Sequence, residues 1–326
     1  MRVLITGIAG FSGSYLAENL LKQGQRVFGI SKSAGDLENL STVLDRIEIE
    51  LIDITDATKV VKMLAGIQPD TIYHLAAEAS TQRSLRDPVQ TVQTNVMGTL
   101  HILEAARMLR KIPCILVVSS AEVYGAVRPE DTPLKETSPL RPVHPYGFSK
   151  VAVHFLAYQY VQTYQLPVIE ARSFSHIGPR QSMDFVVPDF AKQLAEIKLG
   201  LREARIVVGD LSANRDFTDV RDVVRAYQLL AEKGRGGEVY HVCSGCPHSI
   251  QEILDTLISI AGVSVTIHMD RNKLRPVKMA FIVGSPEKIR TELGWRPTIP
   301  LRESLENTFE YWVEKIKGKQ SKKTTA

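Results

Sequence analysis

Arg2-Val3-Leu4-Ile5-Thr6 runs without a break into Gly7-Ile8-Ala9-Gly10-Phe11-Ser12-Gly13. The first five residues read as a buried strand, and Ser14 to Gln23 places Tyr15, Leu16, Leu20 and Leu21 along one helical face. Glycines at 7, 10 and 13 let the chain turn sharply between the two, so that backbone N–H groups and the helix dipole face a pyrophosphate. A glycine pattern alone is weak. The strand before it and the amphipathic helix after it favour dinucleotide binding over a plain tight turn.

Outward from this turn, strand signals at 26–30, 47–52, 71–75, 115–118 and 168–171 alternate with helical stretches around 56–66, 90–110 and 147–164. Such alternation predicts an α/β fold, a doubly wound parallel sheet of Rossmann-like type with helices on both faces. After Ser175 the rhythm changes, with prolines at 179, 188, 247, 276, 286, 297 and 300 punctuating a smaller, mostly helical second lobe. A helix from Val220 to Glu232 and a strand over Val239–Val242 read as returning to the first domain. The expected division is 1–174 with 216–244 for the dinucleotide, 175–215 with 245–316 for the second lobe, and a flexible tail over 317–326.

At the end of the second strand, where an acidic residue would bind ribose hydroxyls, the chain has Ser31-Lys32-Ser33. A cation with hydroxyls suits a 2′-phosphate, which favours NADP(H). NAD(H) stays open because Asp36 or Glu38 could fold back. Asp53 and Ile54 are placed to contact the adenine, and His74-Leu75-Ala76-Ala77-Glu78-Ala79-Ser80 to line the cofactor channel, against a loop cap and a packed crossover.

With 326 residues, 44% of them hydrophobic and 23% charged, the chain has the makeup of a soluble globular enzyme with room for a core and a lobe. The formal charge is +4, but five lysines fall between Lys315 and Lys323 without interleaved aromatics, so a solvated end is expected and no nucleic acid. Cys114, Cys243 and Cys246 cannot pair fully, which suits a reducing compartment. Cys243-Ser-Gly-Cys246 has no further ligand at zinc spacing and reads as a structural turn, so no metal is expected. A strand beginning at residue 2 and no long apolar run predict a cytoplasmic protein without a membrane segment.

Tyr146-Gly147-Phe148-Ser149-Lys150 sets a phenol and an ammonium on one helical face. A phenol with pKa near 10 exchanges protons poorly at neutral pH. A lysine charge nearby and the positive ring of a bound nicotinamide favour the phenolate, and bringing the pKa to 7 takes about 4 kcal/mol, which a close cation in a partly dry pocket can supply. The pair is a candidate acid/base for carbonyl–alcohol interconversion.

Together with His74-Leu-Ala-Ala77, Asn95-Val-Met-Gly-Thr99, Ser119-Ser-Ala-Glu-Val-Tyr-Gly125, Arg215-Asp-Phe-Thr-Asp-Val220 and Gly294-Trp-Arg-Pro297, these segments resemble the extended short-chain dehydrogenase/reductase family from Met1 to about Trp312. The resemblance implies a triad. Ser120 would hold the reacting oxygen, Tyr146 protonate it, and Lys150 bind the nicotinamide ribose while keeping Tyr146 acidic.

His176 to Gln193 and Leu274-Arg275-Pro276 look most like the GDP-sugar branch. That likeness implies Ser80, Ser120, Ser175, Arg180, Val186, Lys192, Arg215 and Arg275 as substrate-binding residues, with the second lobe holding the nucleotide sugar. The family commonly has asparagine at Ser175 and an acid at Lys278. The implied reaction is NADPH-dependent reduction of GDP-4-keto-6-deoxy-D-mannose, or another GDP-linked 4-keto-6-deoxyhexose, to a GDP-6-deoxyhexose such as GDP-D-rhamnose. Glu122 matches the glutamate with which dehydratases of the family remove a C5 proton, so 4,6-dehydration is the alternative and 4-epimerisation the third. A non-catalytic NADP-binding sensor or scaffold is the reading from another class. Apolar residues on more than one side of the helices near 90–110 and 147–164 predict a homodimer.

Overall fold

The fold is that of a computed structural model, which describes residues 1–274 and 280–324. Strands β1 (Arg2–Thr6), β2 (Arg26–Ser31), β3 (Glu48–Leu51), β4 (Thr71–His74), β5 (Cys114–Ser120), β6 (Val168–Ser173) and β10 (Val239–Val242) form a seven-stranded sheet in the order β10-β6-β5-β4-β1-β2-β3. Every pairing in it is parallel. The chain winds outward from β1 to β3 and returns at β4. The crevice of the doubly wound topology therefore opens beyond the carboxyl ends of β1 and β4.

Helices α1 (Phe11–Lys22) and α8 (Val220–Lys233) cover one face, where Leu16, Leu20, Val224, Tyr227 and Leu230 pack on Val3, Ile5 and Tyr240. Helices α2 (Ala57–Ile67), α5 (Gly98–Arg107) and α6 (Pro145–Tyr164) cover the other, with Val60, Leu64, Ile102, Leu103 and Val153 against Leu4, Ile72 and Ile115. Burial on both faces explains why these strands read as continuous apolar runs instead of alternating ones.

The expected helical stretch around 90–110 is helical to Arg107: α4 (Pro88–Val92) runs through a π-helical turn at Gln93–Met97 into α5, and a separate short helix, α3 (Thr81–Arg86), precedes it. Pro88 cannot continue α3 but suits the start of a helix, and the Asp87 side chain accepts the Gln90 N–H at 3.0 Å to cap it.

The remaining elements are β7 (Ser175–Ile177), α7 (Val186–Lys198), β8 (Arg205–Val208), β9 (Asn214–Asp219), β11 (Pro247–Ser249), α9 (Ile250–Ala261), β12 (Thr266–Met269), β13 (Phe281–Ile282), α10 (Glu287–Leu293) and α11 (Leu301–Thr324), and of these α10 packs through Ile289 into the core of the seven-stranded sheet while α7, α9 and α11 share a second core, the second lobe. Its core is Phe190, Leu194, Ile206, Leu254, Leu257, Leu305 and Phe309. Residues 317–324 of the expected tail continue α11 as helix. Among the described residues no helix is long and apolar enough to cross a membrane.

Asp222, almost fully buried on α8, ties the Gly294–Pro297 motif to the first domain. Its carboxylate accepts the backbone N–H groups of Thr298 at 2.7 Å and Ile299 at 2.8 Å, and its carbonyl accepts the Trp295 indole N–H. Removing the acceptor leaves two part-buried backbone donors and the Arg225 guanidinium without it. Asp222→Ala is therefore expected to lower stability by about 3 kcal/mol, read as a shifted midpoint in urea unfolding; an unchanged midpoint contradicts this role.

Candidate active site

The glycine turn is built for close approach. Gly7 has φ +70°, and a Cβ there would lie 2.9 Å from the Ala76 backbone, so the loops after β1 and β4 touch. A Cβ on Gly13 would lie 2.3 Å from the Gly7 carbonyl oxygen. Gly10 is the N-cap of α1 and no side chain caps the helix, leaving its first N–H groups directed outward. This cradle fits a pyrophosphate.

Behind it runs a directional hydrogen-bond chain. The Ala76 N–H donates to Thr6 Oγ1 at 3.1 Å, Thr6 lies 2.8 Å from His74 Nδ1, and His74 Nε2 lies 2.9 Å from Thr99 Oγ1, whose hydroxyl donates to the Asn95 carbonyl at 2.6 Å. Because Thr99 donates onward, Nε2 of His74 carries the proton and Thr6 donates to Nδ1. Burial lowers the imidazole pKa to about 3, and the charge of Lys150 also lowers it, so the ring stays neutral. Asn95 then brackets the next loop. Its side chain accepts the Glu78 N–H at 2.8 Å and donates to the Glu78 carbonyl at 3.1 Å and to Ser149 Oγ at 2.8 Å. Ser149 in turn donates to the Tyr146 carbonyl at 2.7 Å, so the first turns of α6 are fixed to the end of β4.

Helix α6 starts at Pro145 with His144 as its N-cap, and Tyr146 and Lys150 are both buried. Ser120, at the end of β5, lies beside the Tyr146 hydroxyl. Burial pushes the Tyr146 pKa up to about 12; Ser120 opposes this, while the charges of Glu122 and Glu78 add to it. The Lys150 ammonium donates to the Val118 carbonyl at 2.8 Å, and burial lowers its own pKa to about 8 against the charge of Glu170. Helical spacing brings the two side chains to one face of α6.

Other expected residues distribute as follows. Ser31 is buried and donates to the Ser33 carbonyl; Lys32, largely exposed, pairs with Asp53 at 3.0 Å. Ile54 packs beneath Gly98, Leu75 packs on the core under α1, and Ala77 is half-buried after β4. Ser80 caps α3. Ser175 lies in β7 opposite Phe217, and Val186 is the first residue of α7. Lys192 pairs with Glu196 one turn along α7, and Arg215 donates to the Asn214 carbonyl. Arg275 lies outside the described residues.

Arg180 sits over α1. It pairs with Glu18 at 2.7 Å and lies over the Tyr15 ring, while Tyr15 donates to the Pro179 carbonyl. In the same loop His176 stacks on Phe11 and accepts the Ser12 hydroxyl at 2.8 Å, because its Nδ1–H donates to Phe174. The second lobe is thus strapped across the glycine turn. Sequence reasoning gave no role to His144, to His176 or to the Asn95–Ser149 bracket. Pro145, a residue suited to the first helical position, was the one local signal that His144 is a cap.

Residues 4–308 match the GDP-mannose 4,6 dehydratase family. The GDP-6-deoxy-D-mannose reductase of Pseudomonas aeruginosa is 36% identical over 249 residues, 76% of this chain and 82% of that one. A GDP-mannose 4,6-dehydratase of Vibrio cholerae is 28% identical, covering 93% of this chain and 91% of its own. The solved structure of RMD from Pseudomonas aeruginosa complexed with NADPH superposes with a TM-score of 0.84 at 32% identity, over 96% of this chain and 99% of that one. With the glycine cradle, the switch-point crevice and the Ser120–Tyr146–Lys150 grouping in place, the chain belongs to the GDP-mannose 4,6 dehydratase family of extended short-chain dehydrogenase/reductase enzymes.

Proposed function

We propose that the protein reduces the C4 ketone of a GDP-linked 4-keto-6-deoxyhexose, such as GDP-4-keto-6-deoxy-D-mannose, to the GDP-6-deoxyhexose alcohol, with NADPH preferred over NADH. The observation that carries this reading is the buried Tyr146 hydroxyl beside Ser120, in a chain 36% identical to a GDP-6-deoxy-D-mannose reductase. Hydride addition to a ketone leaves an alkoxide, a far stronger base than a phenolate, so a phenol with pKa near 12 can still protonate it.

Bound NADPH would supply the hydride; the glycine cradle, Lys32 and Lys150 are the residues that would hold it. Ser120 hydrogen-bonds the ketone oxygen, Tyr146 transfers its proton to that oxygen, and Lys150 orients the ribose below. Dehydration is the second reading, favoured by Glu122 near Tyr146 and by the dehydratase relatives. The two differ in redox balance. Reduction consumes one NADPH per sugar, whereas dehydration returns the hydride and shows no net change.

Incubation with NADPH and enzymatically generated 4-keto sugar should therefore lower NADPH absorbance in step with alcohol formation; constant absorbance with product formed rejects reduction. Tyr146→Phe is expected to keep NADPH binding and lose roughly 10³-fold in turnover, and near-normal turnover would remove the phenol from the chemistry. Lys32→Ala should weaken NADPH about tenfold and leave NADH nearly unchanged, measured by calorimetry; equal losses would place Lys32 away from the 2′-phosphate.

The active assembly is a homodimer through α4, the π-turn and α6, where Val89, Met97, Phe148, Phe155 and Tyr158 are all more than 40% exposed. Phe148, Phe155 and Tyr158 follow at intervals of seven and three, one stripe of α6. Sedimentation of Phe155→Glu should show a monomer where the parent sediments as a dimer, and an unshifted species would place the contact elsewhere.

A further inference from the structure

Glu122 and His144 form a pair whose protonation is fixed by geometry. His144 Nδ1 lies 3.0 Å from the Gly147 amide and accepts its hydrogen, so the proton of the neutral ring sits on Nε2, 2.7 Å from Glu122 Oε2. The ring is nearly buried and lies parallel to that of Tyr146, with centroids 6.2 Å apart. Gly147 locks the arrangement, since a Cβ there would lie 2.6 Å from the Glu122 carbonyl oxygen and 3.3 Å from the His144 ring.

We infer that His144 is a reaction-selecting positioning residue: by donating Nε2–H to Glu122 it restrains that carboxylate from acting as a base on the sugar C5 proton. This rests on the reductase reading, in which the bound 4-keto sugar is the substrate and C5–H, next to the ketone, is acidic enough to be lost.

Two features give the restraint its strength. A charge-assisted hydrogen bond stabilises the carboxylate and makes it a weaker base. The cap also closes the relay that a glutamate–histidine pair would otherwise offer. His144 Nδ1 already accepts the Gly147 N–H at the start of α6, so the pair presents no free ring acceptor beyond Glu122. The ionised carboxylate meanwhile adds to the field that keeps Tyr146 protonated. One imidazole thus favours the acid role of Tyr146 while suppressing the base role of Glu122.

The test is proton exchange, which is independent of hydride transfer. When Glu122 acts as a base the C5–H bond breaks, its electron pair delocalises into the C4 carbonyl, and a solvent deuteron returns to C5. Nothing is oxidised or reduced. Wild-type protein, His144→Asn and His144→Asn/Glu122→Gln are incubated with the GDP-linked 4-keto sugar and NADP⁺ in deuterated buffer, and deuterium in the sugar is read by mass spectrometry. Asparagine keeps an oxygen for the α6 cap and lacks the Nε2–H donor.

The expected result is exchange about five- to tenfold faster in His144→Asn than in the parent, falling back in the double variant. Unchanged exchange, or a gain that survives removal of Glu122, overturns the inference. Should His144→Asn fail to bind NADPH like the parent, His144→Ser carries the same expectation and the same contradicting result. NADPH consumption by the wild type, measured in parallel, keeps the questions apart: its absence rejects the reductase reading, whereas normal consumption with unchanged exchange rejects only the role of His144.

Discussion

A phenol removed from water cannot ionise unless a compensating charge comes with it, and that constraint organises this site. Tyr146 is sealed between α6 and the end of β5, with two carboxylates acting on it and the Lys150 ammonium bonded to a backbone carbonyl. The protein alone therefore stabilises the acid form. The same family fold hosts reductases and dehydratases, so a difference in chemistry has to come from groups around the triad and not from the triad itself.

Those groups are held by structure that does not touch the reacting atoms. The Thr6–His74–Thr99 chain has a donor for every acceptor, so it fixes the ends of β1 and β4 without a buried charge. Asn95, set in a π-helical turn, carries that order across to Ser149 and the first turn of α6. On the other side, His176 and Arg180 bind the second lobe to the glycine turn through Ser12, Tyr15 and Glu18. The segment carrying His176 and Arg180 is thus fixed directly to the glycine turn.

Much of this was legible in the residues. The strand–glycine–helix opening and the alternation after it specify the parallel sheet because both faces are buried, and the return of Val239–Val242 as an edge strand of that sheet was readable from its apolar run. The pairing of Ser120 with Tyr146 came from motif resemblance. Three things were not legible. The π-helical turn at Gln93–Met97 leaves no mark in the spacing of apolar residues. That the Lys150 ammonium ends on the Val118 carbonyl depends on the path of a long side chain, which i,i+4 spacing does not set. The use of Arg180 on α1 and of His144 on Glu122 arises from contacts across 162 and 22 positions, which no local pattern encodes.

The most direct measurement is the ionisation of Tyr146 in the free protein, read as the ultraviolet difference between wild type and Tyr146→Phe from about pH 6 to about pH 9. The account predicts no tyrosinate signal from this residue across that range, since burial holds the phenol protonated. A tyrosinate appearing with a midpoint near neutrality would show a base already formed in the resting site and would contradict it.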